Sequence, residues 1–103
     1  MPLARSGKFC ISHVTDRITR IAERDPWKET PFIYLIQCSG GYGVLIDTGT
    51  GAGDLFGFLR THFAFGSDTF SRVLVINTHN HFDHVGSNYQ FATPEKGKAS
   101  YCM

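Results

Sequence analysis

The sequence predicts an α/β domain, of the α+β kind, and three observations support this fold class. Short apolar runs rich in β-branched residues recur along the chain, glycine-rich turns separate them, and one amphipathic helical stretch lies between two of them. The chain has 103 residues, which is enough for one small domain. Its 42% hydrophobic and 18% charged residues are typical of a globular chain.

The first half of the chain predicts strands joined by turns. Four segments either alternate in polarity or are continuously apolar, and we interpret them as strands: 9–13, 17–22, 31–38 and 44–49. Thr15 and Asp16 are the turn residues of a hairpin between the first two. The polar stretch 23–30 and the glycine-rich stretch 39–43 predict the remaining connections.

One helix is predicted after the loop 50–53. Asp54 is placed to cap it, and four apolar residues then recur at helical spacing on one face: Leu55, Phe58, Leu59 and Phe63. Gly57 weakens this helix somewhat.

The second half predicts one more strand and one more helix. After the loop 65–71, residues 72–77 form the clearest strand of the chain. Val85, Tyr89 and Ala92 share a helical face, which predicts a short helix over about 83–92.

The charge and cysteine content favour some classes of protein and exclude others. A net charge of +1 gives no electrostatic reason to expect a nucleic-acid partner. No apolar run reaches the roughly 18 residues of a membrane span, and no apolar block of a secretory signal follows the N-terminus. Cys10, Cys38 and Cys102 are an odd number without a CxxC pair, which favours reduced thiols and a cytoplasmic location.

The stretch Thr78–His84, read THNHFDH, carries the chemistry of the chain, because it holds three of the five histidines. In an extended segment residues i and i+2 point to the same side, so His79 and His81 can meet at one metal ion. Asp83 and His84 follow and can address a second ion. Zinc takes imidazole and carboxylate ligands and activates water for attack on a carbonyl or phosphoryl group. The plainer alternative is a set of solvated histidines, with Asp83 capping a helix.

The same stretch resembles the HxHxDH signature of the metallo-β-lactamase fold superfamily, and VLIDTG at 44–49 is similar to that family's first motif. The resemblance covers about residues 9–92 and implies the N-terminal half of an αβ/βα sandwich. It implies that His79 and His81 belong to a first zinc site, and that Asp83 and His84 belong to a second. Asp83 is also the candidate catalytic residue.

By the same resemblance, Asp47 and Thr78 would orient the histidine loop through hydrogen bonds. A turn aspartate that binds local amides is the alternative role for Asp47. Gly49 and Gly51 are expected to serve the tight loop and not a phosphate cradle.

The resemblance also leads us to expect an incomplete domain. The family supplies a third histidine, a bridging residue and a last histidine from a downstream half, whereas this chain offers two ligands to each metal. His13 and His62 are the other histidines that could contribute, but His13 is in the first hairpin and His62 on the predicted helix, and nothing in the pattern directs them at the histidine loop. The apolar runs 32–36 and 73–76 predict burial on both sheet faces, which one helix cannot provide. We therefore expect a truncated domain over 1–103, with a core at about 9–92 and a mobile tail at 93–103.

Three functions are compatible with these residues. The first is a zinc-dependent hydrolase of an ester, thioester, lactam or similar bond in a small-molecule substrate, with one or two zinc ions, although iron and manganese also suit such ligands. THNHFDHVGSNYQF is similar to members that act on acyl-thioesters. The second is a non-catalytic metal-binding or interaction fragment that self-associates through an exposed sheet. The third is a nuclease of the same fold, which the absence of a basic surface disfavours. Whether the chain is itself an enzyme stays open at this point.

Overall fold

A computed structural model of the protein describes residues 2–6, 9–67, 70–78, 82–91 and 101–102, with the backbone alone for 2–6, 83 and 101–102. In these residues seven strands form one sheet whose spatial order follows the chain: β1 (Pro2–Ser6), β2 (Phe9–His13), β3 (Ile18–Glu23), β4 (Phe32–Gln37), β5 (Tyr42–Ile46), β6 (Arg72–Ile76) and β7 (Tyr101–Cys102). The helices are α1 (Leu55–Phe63), α2 (Phe82–Val85) and a 3-10 helix (Asn88–Phe91). This mixed sheet with its helical layer is an α+β architecture, and the predicted fold class is confirmed.

The strand directions follow from the connections. From β1 to β5 each strand pairs antiparallel with the next strand of the chain. In the β2–β3 hairpin the Thr15 hydroxyl accepts hydrogen bonds from the backbone N–H groups of Arg17 and Ile18, both at 3.1 Å. β6 lies parallel to β5, as a helical crossover between them requires. The carboxyl ends of β5 and β6 therefore meet at one edge of the sheet.

Helix α1 forms where the sequence predicts it. The Asp54 carboxylate caps its first turn by accepting a hydrogen bond from the Gly57 N–H at 3.0 Å. Leu55, Phe58 and Leu59 are buried against the sheet, and Phe63 packs at the edge of the same cluster. The helix ends at Ala64, whose φ of 58° is left-handed.

The core of the described residues lies on one face of the sheet, which agrees with the expectation that one helix cannot cover the apolar runs on both faces. On β4, Ile33 and Leu35 are fully buried, whereas Tyr34 and Ile36 on the opposite face remain partly exposed. The same alternation occurs on β6. The physical reason is that α1 and the 3-10 helix cover only one face, so the apolar residues of the other face have no layer above them within the described part of the chain.

The predicted helix over 83–92 is interrupted. Residues 86 and 87 form a turn between α2 and the 3-10 helix, and Tyr89 is 60% exposed, not part of a buried face. Gln90 and Phe91 are buried in its place. The break occurs because the Gly86 N–H donates to the carbonyl of Gly49 at 2.8 Å, outside any helix. Ala92 lies outside the described residues.

The two ends of the chain were not predicted as strands. β1 pairs with β2, and β7 adds two residues beside β6. Of the mobile tail expected at 93–103, residues 93–100 and 103 lie outside the described part, and for these it stays a prediction. Cys10 and Cys38 are free thiols. Neither α1 nor α2, the α-helices of the described residues, has the length and apolar composition that crossing a lipid bilayer requires.

Candidate metal centre

The candidate site lies at the edge where β5 and β6 end side by side. Asp47 directly follows β5, and its backbone N–H donates to the carbonyl of Ile76 at 2.8 Å, which extends the pairing of the two strands by one step. Asn77 and Thr78 directly follow β6. Ligands of open α/β sheets commonly bind at such strand ends.

The Asp47 carboxylate connects the two loops. Its Oδ1 accepts a hydrogen bond from the Thr78 N–H at 2.7 Å, and its Oδ2 accepts one from the Thr78 hydroxyl at 2.8 Å. Oδ2 also lies 2.9 Å from Nδ1 of His84. Asp47 is only 4% exposed, so these contacts are formed in a largely dry environment. The structure thus brings together three of the predicted site residues.

The backbone conformation of Asp47 is unusual, with φ at 66° in the left-handed region. Aspartate tolerates this region better than most residues, although it still needs support from its surroundings. The contacts with Thr78 and His84 give part of that support. The left-handed turn directs the carboxylate toward Thr78 and His84.

His84 is held through its backbone as well as its ring. Its carbonyl accepts hydrogen bonds from the Thr48 N–H at 2.9 Å and from the Asn77 side-chain amide at 3.1 Å. Its side chain is 22% exposed, so one edge of the ring reaches the surface. Since a carboxylate can only accept, we assign the proton of the neutral ring to Nδ1.

A polar network that the sequence analysis missed joins the same loops. The Thr48 hydroxyl donates to Asn88 Oδ1 at 2.8 Å and accepts from the Ser87 N–H at 3.1 Å. The Asn88 amide in turn donates to Asn77 Oδ1 at 2.7 Å. The sequence provides little indication of this network, because polar residues after a strand are common and do not show which of them will pair. These bonds hold the loop after β5 against the segment that carries His84.

Close backbone contact explains three glycines of this region. Gly49 and Gly51 have φ values of 77° and 89°, which supports the expected role in a tight loop. Gly86 lies so close to the backbone of Thr50 that a Cβ atom would overlap with it. The two loops can pack this closely because Gly51 and Gly86 have no side chain where the loops meet.

The other predicted ligands are only partly described. His79 and His81 lie outside the described residues, and for Asp83 only the backbone, in α2, is described. Among the side chains that are described, no three His, Cys, Asp or Glu groups share a focus for a metal ion. His13 and His62 lie elsewhere, since His13 contacts Thr19 and the ring of His62 packs on Phe58. The predicted assignment of four metal ligands therefore stays a prediction.

The described part of the site fits a metal ion by the chemistry of its donors. Histidines that bind metals generally donate their second ring N–H to a carboxylate or a carbonyl. Asp47 occupies that position at Nδ1 of His84, so Nε2 is the nitrogen that would face a metal. The buried carboxylate also fixes the plane of the ring before any metal binds.

Two exposed aromatic rings adjoin the histidine loop. Trp27, the single tryptophan of the chain, is 56% exposed, and Phe82 of α2 is 51% exposed. Their ring centroids are 5.3 Å apart in an edge-to-face arrangement. Because Phe82 lies between His81 and Asp83 in sequence, we expect the fluorescence of Trp27 to respond to changes near this loop.

Comparison with known proteins identifies the family of the chain. The family model described as the metallo-beta-lactamase superfamily matches residues 28–98, which is more than half of the chain and includes β4 to β6 and the histidine loop. A search of curated proteins found no match. The sheet and its helix are consistent with part of the sandwich of this family. The chain belongs to the metallo-beta-lactamase superfamily.

Proposed function

We propose that the chain is a metal-dependent hydrolase whose metal ions bind at the loop after β6. His79 and His81 would hold one ion, and Asp83 and His84 a second. The observation that carries the proposal is the contact between the buried Asp47 carboxylate and Nδ1 of His84 at 2.9 Å. Because Nδ1 is held by the carboxylate, Nε2 is the ring nitrogen that would bind the metal.

Each of the surrounding residues has a role in orienting the ligands. Asp47 fixes the tautomer and the plane of the His84 ring, and it binds the hydroxyl and N–H of Thr78 at the start of the histidine loop. Thr48 and Asn77 bind the carbonyl of His84. His84 is therefore held through both its ring and its backbone carbonyl, which reduces the entropic cost of metal binding.

The bound metal, which we propose to be zinc, supplies a Lewis acid that polarises a carbonyl group and lowers the pKa of water. The substrates we propose are small molecules with an ester, thioester or lactam bond. Within this range acyl-thioesters are our first choice, on the resemblance of residues 78–91 to members that act on them. Asp83 is proposed as the catalytic residue because it would touch the metal and the reacting water.

The proposal is tested by metal binding and turnover in the same preparations. We expect about two zinc ions per chain and chelator-sensitive hydrolysis of a thioester or an activated ester. Asp47→Asn should weaken zinc binding by about 10- to 100-fold, as is usual when the partner of a metal-bound histidine is changed. His84→Ala should weaken it further. Quenching or a spectral shift of Trp27 provides an independent reading of metal binding at the neighbouring loop.

His62→Gln is the matched control, because it removes an exposed histidine on α1 that lies outside the site. Equal zinc binding by the wild type, His84→Ala and His62→Gln would contradict the proposed site. Zinc binding that depends on His84 but supports no hydrolysis would favour the non-catalytic metal-binding alternative.

A further inference from the structure

A buried carboxylate at the end of β3 has no role in the site described so far. Glu23 is 1% exposed and lies on the core face of β3, where Thr19 and Ile21 are its neighbours along the strand. Burying a carboxylate is costly unless it is paired or fully hydrogen-bonded. Among the described residues no ion pair involves Glu23. The burial of the Glu23 carboxylate therefore depends on its hydrogen bonds.

Both carboxylate oxygens of Glu23 bind one residue of the loop after β5. Oε1 accepts a hydrogen bond from the Thr50 N–H at 2.6 Å, and Oε2 accepts one from the Thr50 hydroxyl at 2.7 Å. Thr50 is itself buried, at 8% exposure. Since water has little access to these groups, no solvent molecule can easily replace the carboxylate.

The loop turns directly over this carboxylate. A Cβ atom at Gly49 would overlap with Oε1 of Glu23, so the backbone of the loop lies against the acid group. Three residues of this loop, Asp47, Gly49 and Gly51, have left-handed backbones, with φ between 66° and 89°. An isolated peptide would not keep such a sequence of conformations. Glu23 supplies the acceptors that hold the loop in this form from the core side.

We infer that Glu23 is a positioning residue for the metal centre, because by fixing Thr50 it sets the turn that places the Asp47 carboxylate beneath Thr78 and His84. The inference rests on the proposed function for its consequence in metal binding. The expected effect of Glu23 on the ring of His84 is independent of the proposed function. In the described part of the chain the hydrogen bonds of the Glu23 carboxylate go to Thr50 and not to His84, so Glu23 acts through the loop.

The experiment measures metal affinity and the state of the His84 ring in the full chain. Co²⁺ binding is followed by visible absorption, and the ring nitrogens of His84 are followed by ¹⁵N NMR in metal-free protein, assigned with His84→Gln. We expect Glu23→Ala to weaken Co²⁺ binding by about 10- to 100-fold, the usual cost of changing an outer group of a metal site. We also expect it to shift the His84 signals away from those of a ring with its proton on Nδ1. Glu23→Gln keeps an acceptor for the Thr50 N–H, so its Co²⁺ affinity should fall less than that of Glu23→Ala.

Two further variants separate positioning from a general loss of structure. Thr19→Val changes a buried polar residue on the same face of the same strand, whose hydroxyl contacts His13 and not the loop. It should leave Co²⁺ affinity and the His84 signals unchanged. Thr50→Val removes the hydroxyl that binds Glu23 and should change both the Co²⁺ affinity and the His84 signals. Thr50→Ser retains this hydroxyl and should keep both at their wild-type values.

Different results would contradict the inference about Glu23 and the proposed function. Wild-type protein that binds no Co²⁺ would overturn the proposed function, and the His84 signals would still decide the role of Glu23. Unchanged His84 signals and affinity in Glu23→Ala and Thr50→Val would overturn the inference. If Glu23→Ala does not fold, the comparison of Thr50→Val with Thr50→Ser decides it.

Discussion

At the scale of single residues, three buried or half-buried acids organise the loops of this protein, and each does so by accepting hydrogen bonds. Asp47 binds Thr78 and His84, Glu23 binds Thr50, and Asp25 binds the backbone of its own loop. A carboxylate suits this purpose because its two oxygens accept several hydrogen bonds at once. Each of these bonds is stronger than one between neutral groups.

Asp25 shows the effect of such bonds on a pKa. Burial raises the pKa of its carboxyl group, but hydrogen bonds from the backbone N–H groups of Thr30, Glu29 and Trp27 outweigh burial and hold the pKa below its usual value. The three donors lie 2.8 to 3.1 Å from the carboxylate oxygens. The ionised form is therefore the one that stabilises the loop.

The direction of this shift predicts a dependence of stability on pH. A carboxyl group with a lowered pKa in the folded state contributes stability above its unfolded pKa of about 3.9, and this contribution is lost as the pH falls through the folded pKa. Asp25→Asn should therefore be less stable than the wild type at neutral pH, and the difference should shrink below about pH 4. Urea unfolding between neutral and acidic pH measures it.

Asp16→Asn is the control for this measurement, since Asp16 lies exposed in the β2–β3 turn. It should leave the pH profile of the wild type nearly unchanged. A constant difference between Asp25→Asn and the wild type at every pH would show that the ionised carboxylate is not what holds the loop.

At the scale of elements, the decisive feature is the packing of the loop after β5 against the turn between α2 and the 3-10 helix. Gly86 donates its N–H to Gly49, and the Ser87 N–H donates to the Thr48 hydroxyl. These donors are unavailable for a continuous helix. The break in the helix and the position of His84 therefore have the same cause.

Gly86→Ala tests this close contact. The added methyl group would overlap with backbone atoms of Thr50, which have little freedom to move. We expect a loss in the free energy of unfolding of about 3 kcal/mol, at the upper end of what overpacking costs. We also expect the His84 ring signals to change, since this ring is on the displaced segment.

Gly40→Ala is the comparison for the glycine variant, because Gly40 has a φ of 82° but open space around its Cβ position. It should cost about 1–2 kcal/mol from its backbone conformation alone. It should not alter the His84 signals. Equal stability losses and equal ring signals in the two variants would contradict the close contact between the loops.

At the scale of the whole molecule, the two faces of the sheet differ. One face carries the core, while the other presents partly exposed apolar residues from β4, β5 and β6: Ile36, Val44, Ile46, Leu74 and Ile76. Contiguous apolar surface of this kind favours association in water. We propose that copies of the isolated chain associate through this face.

The isolated chain should accordingly bind hydrophobic dyes and sediment faster as its concentration rises. Ile36→Lys places a charge in the middle of the face and should reduce both effects. Ser39→Lys adds the same charge in the exposed turn before β5, outside the face, and should change neither. Wild-type protein that stays monomeric and binds no dye would contradict the proposal.

Much of this architecture was predictable from the sequence, because it depends on local patterns. Alternating polarity, glycine-rich turns and a helical period of apolar residues predicted β2 to β6 and α1 to within about three residues at each end. The cap at Asp54 and the turn at Thr15 were predictable because they involve residues two or three positions apart. The superfamily that the sequence resembled is confirmed by the family match over residues 28–98, whereas the role of THNHFDH stays a prediction.

The tertiary structure alone decided which sheet face carries the core, where the last helix breaks, and which groups hold the candidate site. The contacts of Glu23 with Thr50 and of Asp47 with His84 join residues 27 and 37 positions apart. No local pattern encodes such pairs, because they form only when separate strand ends are brought to the same edge of the sheet. Burial then makes these hydrogen bonds necessary, since buried polar groups have no water to replace a missing partner.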